Sequence, residues 1–161
     1  GRWYTRSAWG RMYMREQYPE NQDQMNAYFK PLARWTDAIQ NDFAARADWC
    51  IKSYKEANHQ PVVKLDHDLD LSAKPGATIQ LSAMGTYDPD GDELTYKWWF
   101  YKEASEYKGE IEIKNSNNRV AALEIPGNID KETTLHVICE VKDNAIPQLT
   151  RYKRVIITKF R

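Results

Sequence analysis

The feature of this sequence that most constrains its fold is a series of short runs of β-forming residues that begins after Pro61. Turn-forming segments such as Lys74-Pro75-Gly76 and Pro126-Gly127-Asn128 separate the runs. Short runs bounded by Gly, Pro, Asn and Asp are typical of strands rather than helices. We expect about seven strands, at Val62–Leu65, Thr78–Ala83, Leu94–Tyr101, Ile111–Ile113, Val120–Ile125, Thr133–Val141 and Tyr152–Lys159.

The third run alternates strictly, which indicates a strand with two different faces. Leu94, Tyr96, Trp98 and Phe100 share one face and are the predicted core residues, because successive side chains of a strand point to opposite sides of the sheet. A tryptophan at this place corresponds to the central tryptophan of immunoglobulin-like sandwiches. The sequence therefore predicts a mainly β chain, an immunoglobulin-like β-sandwich over residues 59–161 with an α-helical extension before it.

The region before the sandwich has a helical pattern, strongest from about Leu32 to Tyr54. Apolar residues recur there at steps of three and four, which predicts an amphipathic helix whose apolar stripe needs a partner surface. We expect this helical extension to pack on the sandwich. The stripe contains Trp35, Ile39, Phe43, Arg46 or Ala47, and Cys50. The turn formers Asn58-His59-Gln60-Pro61 then mark the boundary with the β region.

Composition excludes several classes of function. Lys+Arg and Asp+Glu each number 23, so the formal charge is zero and no basic surface for nucleic acid is expected. No stretch reaches the roughly 18 apolar residues that a membrane span needs. The two cysteines, Cys50 and Cys139, are far apart and are expected to be free.

Motifs along the chain resemble a known family. The stretch Thr86-Tyr87-Asp88-Pro89-Asp90-Gly91-Asp92-Glu93-Leu94-Thr95-Tyr96-Lys97-Trp98 resembles the signature of polycystic-kidney-disease-type immunoglobulin-like modules. Four further segments contribute to the resemblance, namely Trp9-Gly10-Arg11, the helix from Gln40 to Cys50, Ala57 to Pro61, and the ending from Val141 to Tyr152. Together these segments resemble the C-terminal region of secreted bacterial nucleoside-hydrolase-like proteins, a family also labelled cellulose-binding.

The resemblance implies a division of the chain and a location. Residues 1–58 would be the last helices of a nucleoside-hydrolase-like domain, and residues 59–161 its immunoglobulin-like companion. The parent would be an N-glycosyl hydrolase-like protein, secreted or periplasmic. The aspartate-rich calcium cluster of that hydrolase fold lies near the start of its domain, so no catalytic residue is expected here and the fragment is not predicted to be an enzyme.

Asp88, Asp90 and Asp92 form the candidate metal site, because alternate carboxylates on a tight turn can converge on Ca²⁺. The series does not fit an EF-hand loop, whose glycine stands at the sixth position and whose bidentate Glu stands at the twelfth. The alternative is a turn without an ion, in which Gly91 takes a positive φ and the Asp side chains accept from nearby amides. No other cofactor is expected.

Trp99 and Tyr101 form the candidate ligand site, with Lys97 as a polar neighbour on the same face. One interpretation is an aromatic platform on which the sugar rings of a polysaccharide stack. The other is that a helix or the missing hydrolase-like domain covers this face. The leading expectation is an accessory, interdomain module with possible polysaccharide binding. The alternatives are an autonomous carbohydrate-binding module and a calcium-stabilised adhesion-type module.

Overall fold

The computed structural model describes residues 33–130 and 133–159. The chain divides into two compact units, Gly1–Asp37 and Ala38–Arg161, and expectations that fall on residues 1–32 lie outside the described part. The elements are α1 (Thr36–Trp49), β1 (Asp70–Ala73), β2 (Thr78–Ser82), β3 (Thr95–Phe100), β4 (Ile113–Lys114), β5 (Val120–Glu124), β6 (Thr134–Lys142) and β7 (Thr150–Lys159). Among the described residues, no helix is both long and apolar enough to span a membrane.

The strands form two sheets. One has the order β1-β7-β6-β3 and the other β2-β5-β4. The pairings are antiparallel except for β1 with β7, which run parallel. Two sheets that share one core make the β-sandwich that the strand pattern predicts, and the mainly β, immunoglobulin-like fold class is confirmed.

The core lies between the two sheets and contains the predicted face of β3. Tyr96 and Trp98 are buried, and Leu94 and Phe100 are partly buried and pack against the same cluster. The indole Nε1 of Trp98 donates to the carbonyl of Asn118 at 3.1 Å, so the polar atom of this large ring is satisfied inside the core. The predicted core residues are therefore confirmed.

Two strand assignments differ from the sequence pattern. Val62–Leu65 is not a strand, and only Val62 forms an isolated bridge, with Tyr87. The strand Asp70–Ala73 is missing from the predicted set, yet it pairs in parallel with Ile156–Lys159. Its partner lies far away in sequence, so the signal for this strand is nonlocal and a short, weakly alternating segment does not reveal it.

Helix α1 presents the opposite face from the one predicted. Ile39 and Phe43 of the predicted apolar stripe are 65% and 75% exposed, whereas Ala45 is only 1% exposed. The helix meets the sandwich through Asp42, whose carboxylate accepts from both terminal nitrogens of Arg151 on β7 at 3.2 Å. The predicted docking of this stripe on the sandwich is therefore wrong, since Ile39 and Phe43 are mostly exposed and Asp42 makes the contact with β7 instead.

Candidate functional site

The turn before β3 is built by local hydrogen bonds. Gly91 has a φ of 86°, a conformation that favours glycine. The Oδ1 atom of Asp88 accepts from the backbone N–H of Asp90 at 2.8 Å and from that of Asp92 at 3.4 Å. This is the turn chemistry that the sequence predicts, and it fixes the direction of the Asp88 carboxylate.

In the folded chain, a carboxylate from another loop lies beside two carboxylates of this turn, and the third carboxylate of the turn points elsewhere. Carboxylate oxygens of Asp88, Asp92 and Asp143 all lie within 4.8 Å of one another, and we call these three residues the acid cluster. Asp90 instead accepts from the backbone N–H of His59 at 2.6 Å. Two of the three predicted metal ligands therefore come together, and Asp143 stands where Asp90 was expected.

Asp143 is held by the loop that follows β6. Its side chain is fully buried. One carboxylate oxygen accepts from the N–H of Leu149 at 2.9 Å, and the other accepts from the amide nitrogen of Asn58 at 3.0 Å. Charged residues are seldom buried without such partners. An aspartate directly after a long strand is the only sequence signal for this role, and the same signal marks many ordinary turns.

The acid cluster is electrostatically unfavourable without a compensating charge. Burial raises the pKa of Asp92 above its usual value, and the charges of Asp88, Asp143 and Asp90 raise the pKa further. The Oδ2 atom of Asp88 is buried and has no hydrogen-bond donor among the described residues. The three carboxylates therefore stand close together at a partly buried place, where their charges repel one another.

An open groove of about 640 Å³ adjoins the acid cluster. Its walls come from the turn before β3 and from the residue that precedes β5. They consist of Thr86, Tyr87, Asp88, Gly91, Asp92, Glu93, Leu94 and Arg119. Asp88 and Asp92 therefore belong both to the acid cluster and to a surface that small solutes can reach.

The predicted aromatic site lies on the outer face of β3 and just beyond its end. Trp99 and Tyr101 are half-buried, and their ring centres lie 5.5 Å apart with an angle of 64° between the ring planes. The indole Nε1 of Trp99 donates to Glu140 at 3.1 Å, and Lys97 is exposed. The rings meet edge to face, so the two do not form a single flat platform.

The strand beside this pair is covered on the same outer face. Ile138 on β6, which is paired with Trp99, is only 4% exposed. Burial lowers the pKa of His136, and the nearby charge of Arg154 lowers the pKa as well. The aromatic pair therefore sits beside a covered surface rather than in the middle of an open sheet face.

The junction between α1 and the sandwich is ordered by specific contacts. The ring of His59 stacks on Tyr54 with 3.8 Å between ring centres and lies parallel to Trp49 at 5.9 Å. Trp49 donates its indole N–H to the carbonyl of Asn58 at 2.8 Å. His59 also contacts Asp90 through Nδ1 at 3.0 Å. The segment that the sequence marks only as a boundary is a packed connection.

Comparison with known proteins defines the family. A model described as "Cellulose-binding protein Sde0182, C-terminal domain" matches residues 78–159, which is half of the chain. The chain belongs to this family. The matched residues run from the start of β2 to the end of β7, so the family model covers most of the sandwich. No curated protein matches the chain.

One solved structure is clearly similar to this chain. A nucleoside hydrolase-related hypothetical protein from Saccharophagus degradans, described as associated with carbohydrate metabolism, is 41% identical with a TM-score of 0.75. The match covers 79% of this chain and 32% of that protein, so the chain spans about a third of its relative. Two further structures are more distant. The PKD domain of the KIAA 1837 protein is 18% identical with a TM-score of 0.41, and the match covers 64% of this chain and 89% of that one. Murine CRIg is 13% identical with a TM-score of 0.43, and the match covers 64% of this chain and 100% of that one.

Proposed function

We propose that this chain is a non-catalytic accessory module of a secreted or periplasmic nucleoside hydrolase-related protein, and that it orients the hydrolase-related domain. Support comes from the relative, of which the module accounts for 32%. The description of the matching family as part of a binding protein supports a role without catalysis. Because the relative is described as associated with carbohydrate metabolism, we expect this chain to act where polysaccharides are present.

The observation that carries this proposal is an exposed apolar surface on and after α1. Ile39 and Phe43 stand one helical turn apart on α1, and Ile51 and Tyr54 follow after the end of the helix, with exposures between 65% and 83%. We call these four residues the docking face. Large apolar side chains grouped in this way mark interaction surfaces more often than free surface. The hydrolase-related domain is the partner that this face would contact.

The test is made in the full-length protein. Replacing Ile39 and Phe43 together by Ser removes apolar area from the docking face and should separate one cooperative thermal unfolding transition into two. Scanning calorimetry measures the transitions. Leu69→Ser is the matched control, since Leu69 is an aliphatic residue that is 44% exposed and lies outside the docking face. A single unchanged transition in the double variant would remove the docking role.

A second function, binding of a cellulose-like polysaccharide, is favoured by the description of the family. The candidate residues are Trp99, Tyr101 and Lys97, where an aromatic ring, a cation and the carboxylate of Glu140 lie together. Sugar rings are recognised by stacking on aromatic faces combined with hydrogen bonds to their hydroxyl groups.

Retention on insoluble cellulose tests this second function. The 161-residue chain should be retained, and Trp99→Ala and Tyr101→Ala should each reduce the retained fraction severalfold. Tyr87→Ala is the matched control, because Tyr87 is a tyrosine that is 49% exposed in the separate groove. Equal loss in the Tyr87 and Tyr101 variants would argue against the β3 surface, and no retention of the unmodified chain would end the proposal.

A further inference from the structure

The outer face of the four-stranded sheet carries two exposed cations near Trp99. Lys97 lies two positions before Trp99 on β3, and Arg154 lies on β7, in register with Trp99 through Ile138 of β6. We propose that these two cations bind the acidic groups of an anionic polysaccharide, a sugar chain that carries carboxylates or sulfates. This inference rests on the polysaccharide function proposed above and specifies the chemical class of its ligand.

The strand register places the three side chains on one surface. Successive residues of a strand point to opposite sides of the sheet, and Trp98 points into the core, so Lys97 and Trp99 point outward. Arg154 points outward as well, because it precedes the buried Val155. Residues two apart on a strand are separated by about 7 Å and adjacent strands by about 4.8 Å. The backbone of Trp99 therefore lies about 7 Å from that of Lys97 and about 10 Å from that of Arg154.

The two cations have no carboxylate partner at contact distance in the described part of the chain. No ion pair within residues 33–130 and 133–159 includes Lys97 or Arg154. Glu140 stands opposite Lys97 on β6, but its carboxylate pairs with Lys142 at 2.9 Å and accepts from the indole of Trp99 at 3.1 Å. This surface therefore presents positive charge, although the formal charge of the whole chain is zero.

An aromatic ring with cations beside it fits an acidic sugar better than a neutral one. The guanidinium of Arg154 can donate two parallel N–H bonds to one carboxylate or to a similar oxyanion, and the ammonium of Lys97 supplies a compact charge. A neutral glucan would use the aromatic contacts and leave both cations without an ionic partner. The exposed Asp70, on the edge strand β1, bounds the positive surface beyond β7.

Isothermal titration of the 161-residue chain tests the class of ligand. The probes are an oligogalacturonate, which carries carboxylates, a sulfated oligosaccharide, and a neutral cello-oligosaccharide of equal length. At least one acidic probe should bind about tenfold more tightly than the neutral probe, as two exposed charge pairs allow. Added salt should reduce this preference, because exposed charges are screened. The acidic probe that binds more tightly identifies the anionic group. A neutral probe that binds as tightly as both acidic probes would overturn the inference.

Two double variants with the same loss of charge separate this surface from a general charge effect. Lys97→Gln with Arg154→Gln should lower the affinity for the acidic probe to that for the neutral probe. Lys74→Gln with Lys153→Gln should leave it unchanged, since Lys74 lies between β1 and β2 and Lys153 points to the other side of the sheet from Arg154. Equal losses in the two double variants would overturn the inference. Polyglutamate that binds as tightly as the acidic sugars would overturn it too, because it offers carboxylates without sugar rings.

Failure of this inference and failure of the polysaccharide function give different results. A chain that is retained on cellulose through Trp99, yet binds neutral and acidic probes equally, would overturn the inference and keep the function. A chain that is not retained on cellulose and binds no probe would overturn both.

Discussion

The sandwich and helix α1 place their large apolar residues in opposite environments. Leu81, Leu123 and Val137 are completely buried between the sheets, whereas Ile39 and Phe43 on the helix are mostly exposed. The sandwich is held by apolar packing across two sheets. The helix is held to it by the charged contact of Asp42 with Arg151 and by the hydrogen bond from Trp49 to Asn58. The apolar sequence pattern therefore predicts burial correctly in the sandwich strands but not on this face of the helix.

The largest effect is expected in the sandwich, where the apolar side chains are buried. Leu123→Ala removes a fully buried side chain that packs between the sheets and should lower the free energy of unfolding by about 3 kcal/mol, as cavity-forming substitutions do. Urea unfolding followed by fluorescence measures the change. Leu69→Ala, at a residue that is 44% exposed, should change it by less than about 1 kcal/mol. Equal losses would mean that the two sheets do not share the core described.

A smaller effect is expected at the charged contact between α1 and β7. Asp42→Asn should lower the free energy of unfolding by about 0.5 kcal/mol near neutral pH, since the carboxylate and its partners are partly exposed. The hydrogen bond from Arg46, then those from Arg151, hold the pKa of Asp42 below 3.8 despite some burial. A carboxyl group whose pKa is lower in the folded chain stabilises the fold at pH values above its pKa in the unfolded chain. This stabilisation is lost as the pH falls through its pKa in the folded chain.

The difference between Asp42→Asn and the unmodified chain should therefore shrink as the pH falls below 3.8. Asp48→Asn is the control, because the ion-pair partner of Asp48 among the described residues is Lys52, four positions further along the chain. Denaturant unfolding at several pH values provides the measurement. A pH-independent difference for Asp42→Asn would show that its contact with the strand does not stabilise the fold.

The smallest effect is expected on helix α1, where the large apolar side chains are exposed. Phe43→Ser in the 161-residue chain should change the free energy of unfolding by no more than about 0.5 kcal/mol, because the ring is 75% exposed. A loss of about 2 kcal/mol or more in the 161-residue chain would show that Phe43 is buried against the chain itself.

Local sequence determined most of the sandwich. Alternation along Leu94 to Phe100 gave the core face of β3 correctly, and the Pro89-Asp90-Gly91 sequence gave the turn before it, because both are properties of consecutive residues. The isolated Val62 bridge and the parallel strand Asp70–Ala73 were not predicted correctly. In both cases pairing depends on a partner elsewhere in the chain.

The candidate sites show the same limit. Sequence spacing predicted Asp88 and Asp92 as site residues, but it also predicted Asp90, whose carboxylate contacts His59 instead. Only the folded chain places Asp143 beside them, because it lies 51 positions after Asp92 and reaches the turn through the pairing of β3 with β6. The sequence by itself determined most of the strands, the turn and the family. Tertiary structure alone decided which carboxylates meet and which helix face stays exposed, since both depend on contacts between residues that no local pattern connects.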